Sequence, residues 1–152
     1  MHLYRKILVG YDGSAHSKRA LVKAASLAKA LNAELKIIVG VEPSRSGRHP
    51  HFLIPASDEQ HERLSADLLA KAQKAVDEIK DTIKIDPDKV TSSVAELDES
   101  EPSKLILSQS EAFGADLIVV GSRGLSALDK LILGSVSTAV ANSSKIDVLI
   151  VK

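Results

Sequence analysis

Short runs of apolar, β-favouring residues alternate along this chain with longer stretches whose apolar residues recur every three or four positions. Ile7-Leu8-Val9, closed by Gly10, reads as a first strand, and Asp12-Gly13-Ser14 as a turn carrying helix-starting residues. From Ser17, the positions Ala20, Leu21, Ala24, Leu27, Ala28 and Leu31 fall on one helical face, which Asn32-Ala33 ends. Residues 35–41 form the second strand. Residues 43–57, with Pro43, Gly47, Pro50 and Pro55, make a loop too long for a simple connector, and such loops are functional lids or disordered. A second helix is expected from about Asp58 to about Asp81, burying Leu64, Leu68, Ala72, Ala75 and Ile79. Asp86-Pro87-Asp88 is a turn, and residues 90–95 a weaker third strand. Glu101-Pro102-Ser103 opens a third helix, proline being tolerated in a first turn, and Gly114 closes it. A fourth strand covers residues 117–120, and the apolar Leu128, Leu131, Ile132 and Leu133 follow. A helix then runs from Ser135 to about Ser143, and a last strand occupies residues 146–151.

Strand and helix alternate five times, which predicts an α/β fold: a Rossmann-like, open parallel sheet with helices on both faces. Ligands of such sheets bind beyond the carboxyl ends of the strands, where strand order reverses. Three segments lie at such ends, Gly10-Tyr11-Asp12, Val39-Gly40-Val41 and Gly121-Ser122-Arg123-Gly124. No tandem repeat, low-complexity stretch or linker interrupts the pattern, and 152 residues suit one domain spanning 1–152.

Composition narrows the classes of function. Lys+Arg and Asp+Glu both number 20, and no basic run resembles a nucleic-acid footprint. The same neutrality eases self-association. With no cysteine, disulfides, thiolate chemistry and cysteine-ligated metals are excluded. No apolar stretch approaches the ~20 residues of a membrane helix, and the first strand begins too early to leave room for a leader. A cytoplasmic protein that spans no membrane is the expectation.

The segment Gly121-Ser122-Arg123-Gly124, followed by nine residues and then Gly134-Ser135-Val136-Ser137, carries the chemistry. A glycine turn after a buried strand brings bare peptide N–H groups close to a ligand. A helix starting at Gly134-Ser135 adds free N–H groups and a dipole that attracts anions. Two anion-accepting backbone segments in this order suggest a cradle for a polyphosphate, and so a nucleotide.

Gly121-x2-Gly124-x9-Gly134-Ser135 is similar to the nucleotide-binding signature of the universal stress protein family. The opening residues Ile7-Leu8-Val9-Gly10-Tyr11-Asp12-Gly13-Ser14 also resemble the way those proteins begin, as does the segment Ala115-Asp116-Leu117-Ile118-Val119-Val120 before Gly121. The resemblance covers nearly the whole chain and is weakest between residues 42 and 60. It implies a five-stranded parallel sheet, a homodimer paired through the last strands, and ATP binding. It places Asp12 at the ribose and the backbone near Val39 to Val41 at the adenine. Gly121, Gly124, Gly134, Ser135 and Ser137 would surround the phosphates. This chain departs from the family pattern at Asp147, where a proline is frequent, in the acidic Asp98-Glu99-Ser100-Glu101-Pro102, and in residues 43–57.

Each candidate also has a plainer reading. Asp12 serves equally as a turn residue, with Ser14 and Ser17 the better candidates for a helix cap. Gly121 and Gly124 can be turn formers, and Ser135 and Ser137 can cap a helix as well as meet a phosphate. Arg123 is either a phosphate partner or a solvated charge. His49 and His51 have metal-like spacing but no third ligand nearby, which favours solvent-facing side chains and no metal site.

No P-loop lysine motif and no Gly-x-Gly-x-x-Gly follows the first strand. No residue is evident to orient an attacking water, and no aspartate is dedicated to magnesium at the phosphates. No catalytic residue is assigned, and Mg2+ is expected to arrive with ATP. The leading expectation is a nucleotide-dependent switch or partner-binding module in stress response. The alternatives are a slow ATP hydrolase or autophosphorylating protein, with Ser135 or Ser137 as acceptor, and a nucleotide-free dimeric scaffold.

Overall fold

A computed structural model describes residues 3–41, 58–96, 102–123 and 134–152. Its strands are β1 (Lys6–Tyr11), β2 (Glu34–Val41), β3 (Val90–Glu96), β4 (Leu117–Gly121) and β5 (Asp147–Val151). Its helices are α1 (Ala15–Leu31), α2 (Asp58–Ile83), α3 (Pro102–Phe113) and α4 (Ser135–Ser143), with a 3-10 turn at Pro87–Lys89 before β3. The strands form one parallel sheet in the order β3-β2-β1-β4-β5. Val9 stands opposite Ile37 of β2 on one side and Val119 of β4 on the other, so β1 is the central strand.

Alternation along the strands sorts the core into two layers. Ile7, Val9, Leu35, Ile37, Val39, Leu117 and Val119 pack with α1 and α2, whereas Leu8, Ile38, Ile118 and Val120 pack with α3 and α4. Helices on both faces explain why the central strands are continuous apolar runs rather than polar-apolar alternations. At the sheet's amino edge the Asp116 carboxylate accepts the backbone N–H groups of Arg5 (2.8 Å) and Lys6 (3.0 Å), which locks the entries of β1 and β4 together. On the α3 face of that edge, the ammonium groups of Lys6 and Lys36 lie 5.1 and 5.8 Å from the Phe113 ring centre. Such cation–π contacts let charged side chains stand beside a core.

The predicted order of elements is borne out, with differences at the ends. Helix α1 begins at Ala15, two residues before the expected start, because Ser14 is its N-cap and accepts the Ser17 N–H. Ser17 is therefore inside the helix and buried. Its hydroxyl donates to the Ser14 carbonyl at 3.0 Å and accepts the Asp12 N–H at 3.2 Å, so burial leaves no polar group unmet. Asn32 ends α1 in the left-handed conformation at φ 55. Helix α2 runs on to Ile83, and Val76, absent from the expected face, is buried with Ile79 while Ala75 is half-buried. An i, i+3 pair therefore carries that contact, not the expected i, i+4 pair. The side chains of Leu64, Leu68 and Ala72 lie outside what the structure describes, as do the loop at residues 43–57 with His49 and His51, the acidic residues 98–101, and Leu128, Leu131, Ile132 and Leu133.

Asp147 accepts the Tyr4 hydroxyl at 2.8 Å and ties the amino-terminal segment to the start of β5. That bond raises the Tyr4 pKa, with desolvation and the Asp147 and Asp116 charges adding to it. Among the described residues, β5 pairs only with β4. Among those residues, too, no helix is long and apolar enough to cross a membrane.

Candidate functional site

The chain leaves β1 toward β2 on one side of the sheet, while β4 lies on the other side of β1. Strand order thus reverses between β1 and β4, and the crevice beyond their carboxyl ends is where such folds bind ligands. Turn 12–14 and the start of α1 come from the β1 side, and Gly121, Ser122 and Arg123 from the β4 side. The start of α4 is tied to the β4 side directly, since the Gly134 N–H donates to the Ser122 carbonyl at 2.7 Å.

The two helix starts differ. Helix α1 is closed by its own side chains: Ser14 Oγ accepts the Ser17 N–H at 3.1 Å, and Asp12 Oδ1 accepts the Ser14 N–H at 2.9 Å. Helix α4 has Gly134 as its N-cap and no side-chain cap hydrogen bond. A helix start without such a cap keeps free N–H donors at the positive end of its dipole, the arrangement that accepts an anion.

Side chains around that start are largely committed elsewhere. Ser137 is buried, and its hydroxyl lies 2.9 Å from the Gly134 carbonyl and 3.2 Å from the Ser122 carbonyl, to which it donates. Its hydroxyl is turned into the protein, so a ligand could meet only its backbone. Val136 packs its side chain into the α3–α4 layer and likewise offers only backbone. Ser135 is exposed, so of the two serines read as phosphoryl acceptors it alone is accessible. Arg123 is half-buried and makes no hydrogen bond or ion pair among the described residues. Gly124 lies outside them.

The glycines divide by what surrounds them. A Cβ on Gly121 would stand 2.8 Å from the His16 carbonyl carbon, 2.9 Å from its oxygen and 2.9 Å from the Ser17 nitrogen. The missing side chain is therefore required by the close approach of α1 to β4, a demand separate from any ligand. A Cβ on Gly10 would meet Ile106 Cδ1 at 3.3 Å, a flexible methyl of α3. Gly13 is different: its φ of +86° needs glycine, and among the described residues nothing lies within 4 Å of its Cβ position. Sequence reading takes it only as part of a turn. An Asp-Gly pair directly after a strand was the signal available.

Asp12 is half-buried, and its Oδ1 closes the turn onto Ser14 while Oδ2 has no partner among the described residues. Turn former and ligand contact are thus compatible roles for one carboxylate. Tyr11 is partly buried against the α1–α2 layer, and its pKa is raised by that burial first, then by the charges of Asp12 and Glu78. Val39 has its side chain in the core and stands opposite Tyr11, so only its backbone can face a ligand. Val41 is the last residue of β2. Among the described residues no group of three or more His, Cys, Asp or Glu side chains is gathered as a metal cage.

The sequence matches the universal stress protein family over residues 3–152. The chain belongs to this family. The universal stress protein A homolog 2 of Coxiella burnetii is 36% identical, the match covering 100% of this chain and 97% of that protein. A universal stress protein crystallised in complex with cAMP is 31% identical, with a TM-score of 0.68 and coverage of 97% of this chain and 96% of its own. A Lactobacillus plantarum universal stress protein has a TM-score of 0.79 over 98% of both chains at 21% identity, a likeness of fold. The universal stress protein fold, a five-stranded parallel sheet layered by helices, is the one described above.

Proposed function

We propose that this protein binds an adenine nucleotide, ATP with its magnesium, across the crevice between β1 and β4, and acts as a nucleotide-dependent switch or partner-binding module in stress response. The observation that carries this reading is the start of α4, with no side-chain cap and held by Ser122 at the strand-order reversal. The cAMP complex of a relative that aligns with 97% of this chain supports an adenine nucleotide as the ligand class.

In this reading the phosphates rest on the backbone of Gly121, Gly124, Gly134, Ser135, Val136 and Ser137, with Ser122 holding the α4 start through its carbonyl and Arg123 as a charged partner. Gly13 gives the ligand room beside Gly10, Tyr11 and Asp12, and Asp12 Oδ2 meets the ribose. The backbone of Val39 to Val41 faces the adenine. Magnesium travels on the nucleotide's phosphates, completed by water. Two copies pair through β5, an edge strand of mainly apolar residues that self-pairing would cover.

A thermal-shift titration with ATP, ADP, AMP, cAMP and GTP, each with magnesium, tests the ligand class. ATP at about 100 times its dissociation constant is expected to add about 2.7 kcal/mol of stability. The order among adenine nucleotides reports which phosphates are held. Absence of a saturable shift with every nucleotide would overturn the reading.

A further inference from the structure

We propose that His16 is a positioning residue of the nucleotide site, acting through the Ser122 hydroxyl to hold the start of α4 in place; this rests on the nucleotide reading above. Ser122 is buried, and each of its polar groups engages a different element. Its N–H donates to the Val151 carbonyl of β5 at 2.8 Å. Its carbonyl accepts the Gly134 N–H at 2.7 Å and the Ser137 hydroxyl at 3.2 Å, both from the α4 start. Its hydroxyl lies 3.2 Å from His16 Nδ1 in α1. One residue at the end of β4 therefore joins β5, α4 and α1.

The direction of the last bond follows from a third group. Arg19 Nη2 is 2.8 Å from the same His16 Nδ1, and a guanidinium can only donate. Nδ1 therefore accepts, the ring proton is on Nε2, and the Ser122 hydroxyl is a second, longer donor that shares the single Nδ1 lone pair with Arg19. Arg19, one turn along α1, fixes the ring, and the ring fixes the hydroxyl rotor of Ser122. The carbonyl of that residue then sets where the free N–H groups of α4 point. His16 itself need not touch the ligand. Its backbone is also the surface that Gly121 abuts, so ring and main chain together register α1 against the end of β4.

The test uses His16→Ala, His16→Asn, Ser122→Ala and the His16→Ala/Ser122→Ala double variant of the full chain. Asparagine Oδ1 falls near the place of Nδ1 and accepts the same two bonds without an aromatic ring. In the ligand-free protein, amide exchange of Gly134 followed by NMR is expected to quicken about tenfold in His16→Ala, and to stay near the parent rate in His16→Asn. By calorimetric titration with MgATP, His16→Ala and Ser122→Ala should each weaken binding about tenfold, and His16→Asn by no more than about twofold. The double variant should bind no more weakly than either single one, because the two act through one bond.

Unchanged Gly134 exchange in His16→Ala would overturn the proposal. So would additive losses in the double variant, which would make His16 a direct ligand contact, or a His16→Asn variant as weak as His16→Ala. If the parent protein binds no ATP, the nucleotide reading fails, and Gly134 exchange alone judges the positioning role.

Discussion

Gly121→Ala is expected to destabilise the protein by about 3 kcal/mol and to remove nucleotide binding with it. The added methyl would stand 2.8–2.9 Å from main-chain atoms of His16 and Ser17, which no side-chain rotation relieves. Neither partner can yield cheaply. Gly121 ends a central strand between β1 and β5, and the first turn of α1 is held by the Ser14 cap and the Asp12–Ser17 bond. Relief needs α1 to shift as a body, which disturbs the Ser122–His16 contact and the link from Ser122 to Gly134. Chemical denaturation measures the first effect, and titration of the remaining folded protein with ATP measures the second. A variant as stable as its parent would show that α1 is not packed on Gly121 as described.

Leu21→Ala separates the fold from the site. Leu21 is fully buried in the layer between α1, α2 and the sheet, one of the largest side chains with no exposure. Truncation there removes apolar contact and leaves a cavity that the surrounding strands fill only in part. The expected loss is about 2–5 kcal/mol by denaturation. Leu21 lies in α1 beyond its first turn, so ATP affinity, measured where the variant is fully folded, should stay within about twofold of the parent. Equal loss of stability and affinity in both variants would mean that the crevice has no local identity apart from the core.

Much of the frame was legible because the central strands are buried on both faces. Ile7-Leu8-Val9 and the run at residues 117–120 read as continuous apolar segments, and each lies within its observed strand. The sequence places helix α4 from Ser135 to about Ser143, and the observed helix spans Ser135–Ser143. The start of α1 was less legible: Ser14 and Ser17 are both good caps, and only the Ser14–Ser17 bond distinguishes them. Val76 was missed because alanine and valine at neighbouring positions of α2 satisfy either ridge, and packing against α1 selects between them.

The site was legible as segments more than as contacts. The Gly134 N–H donates to the Ser122 carbonyl, which joins the start of α4 to the end of β4. What pattern could not convey is which way each group faces. Ser137 turns its hydroxyl inward, and Gly121 is small for the sake of α1. His16 left no signal at all. A single histidine in an amphipathic helix has no motif, and its partner Ser122 is 106 residues away.

The most direct measurement is an amide-resolved NMR titration of the full chain with MgATP. Nucleotide binding at the α4 start predicts saturable shifts at Ser135, Val136 and Ser137, together with Gly13 and Ser14 across the crevice. Amides at the opposite edge of the sheet, such as Lys6 and Asp116, should barely move. If the α4 and turn amides stay in place throughout the titration, the crevice between β1 and β4 is not a nucleotide site.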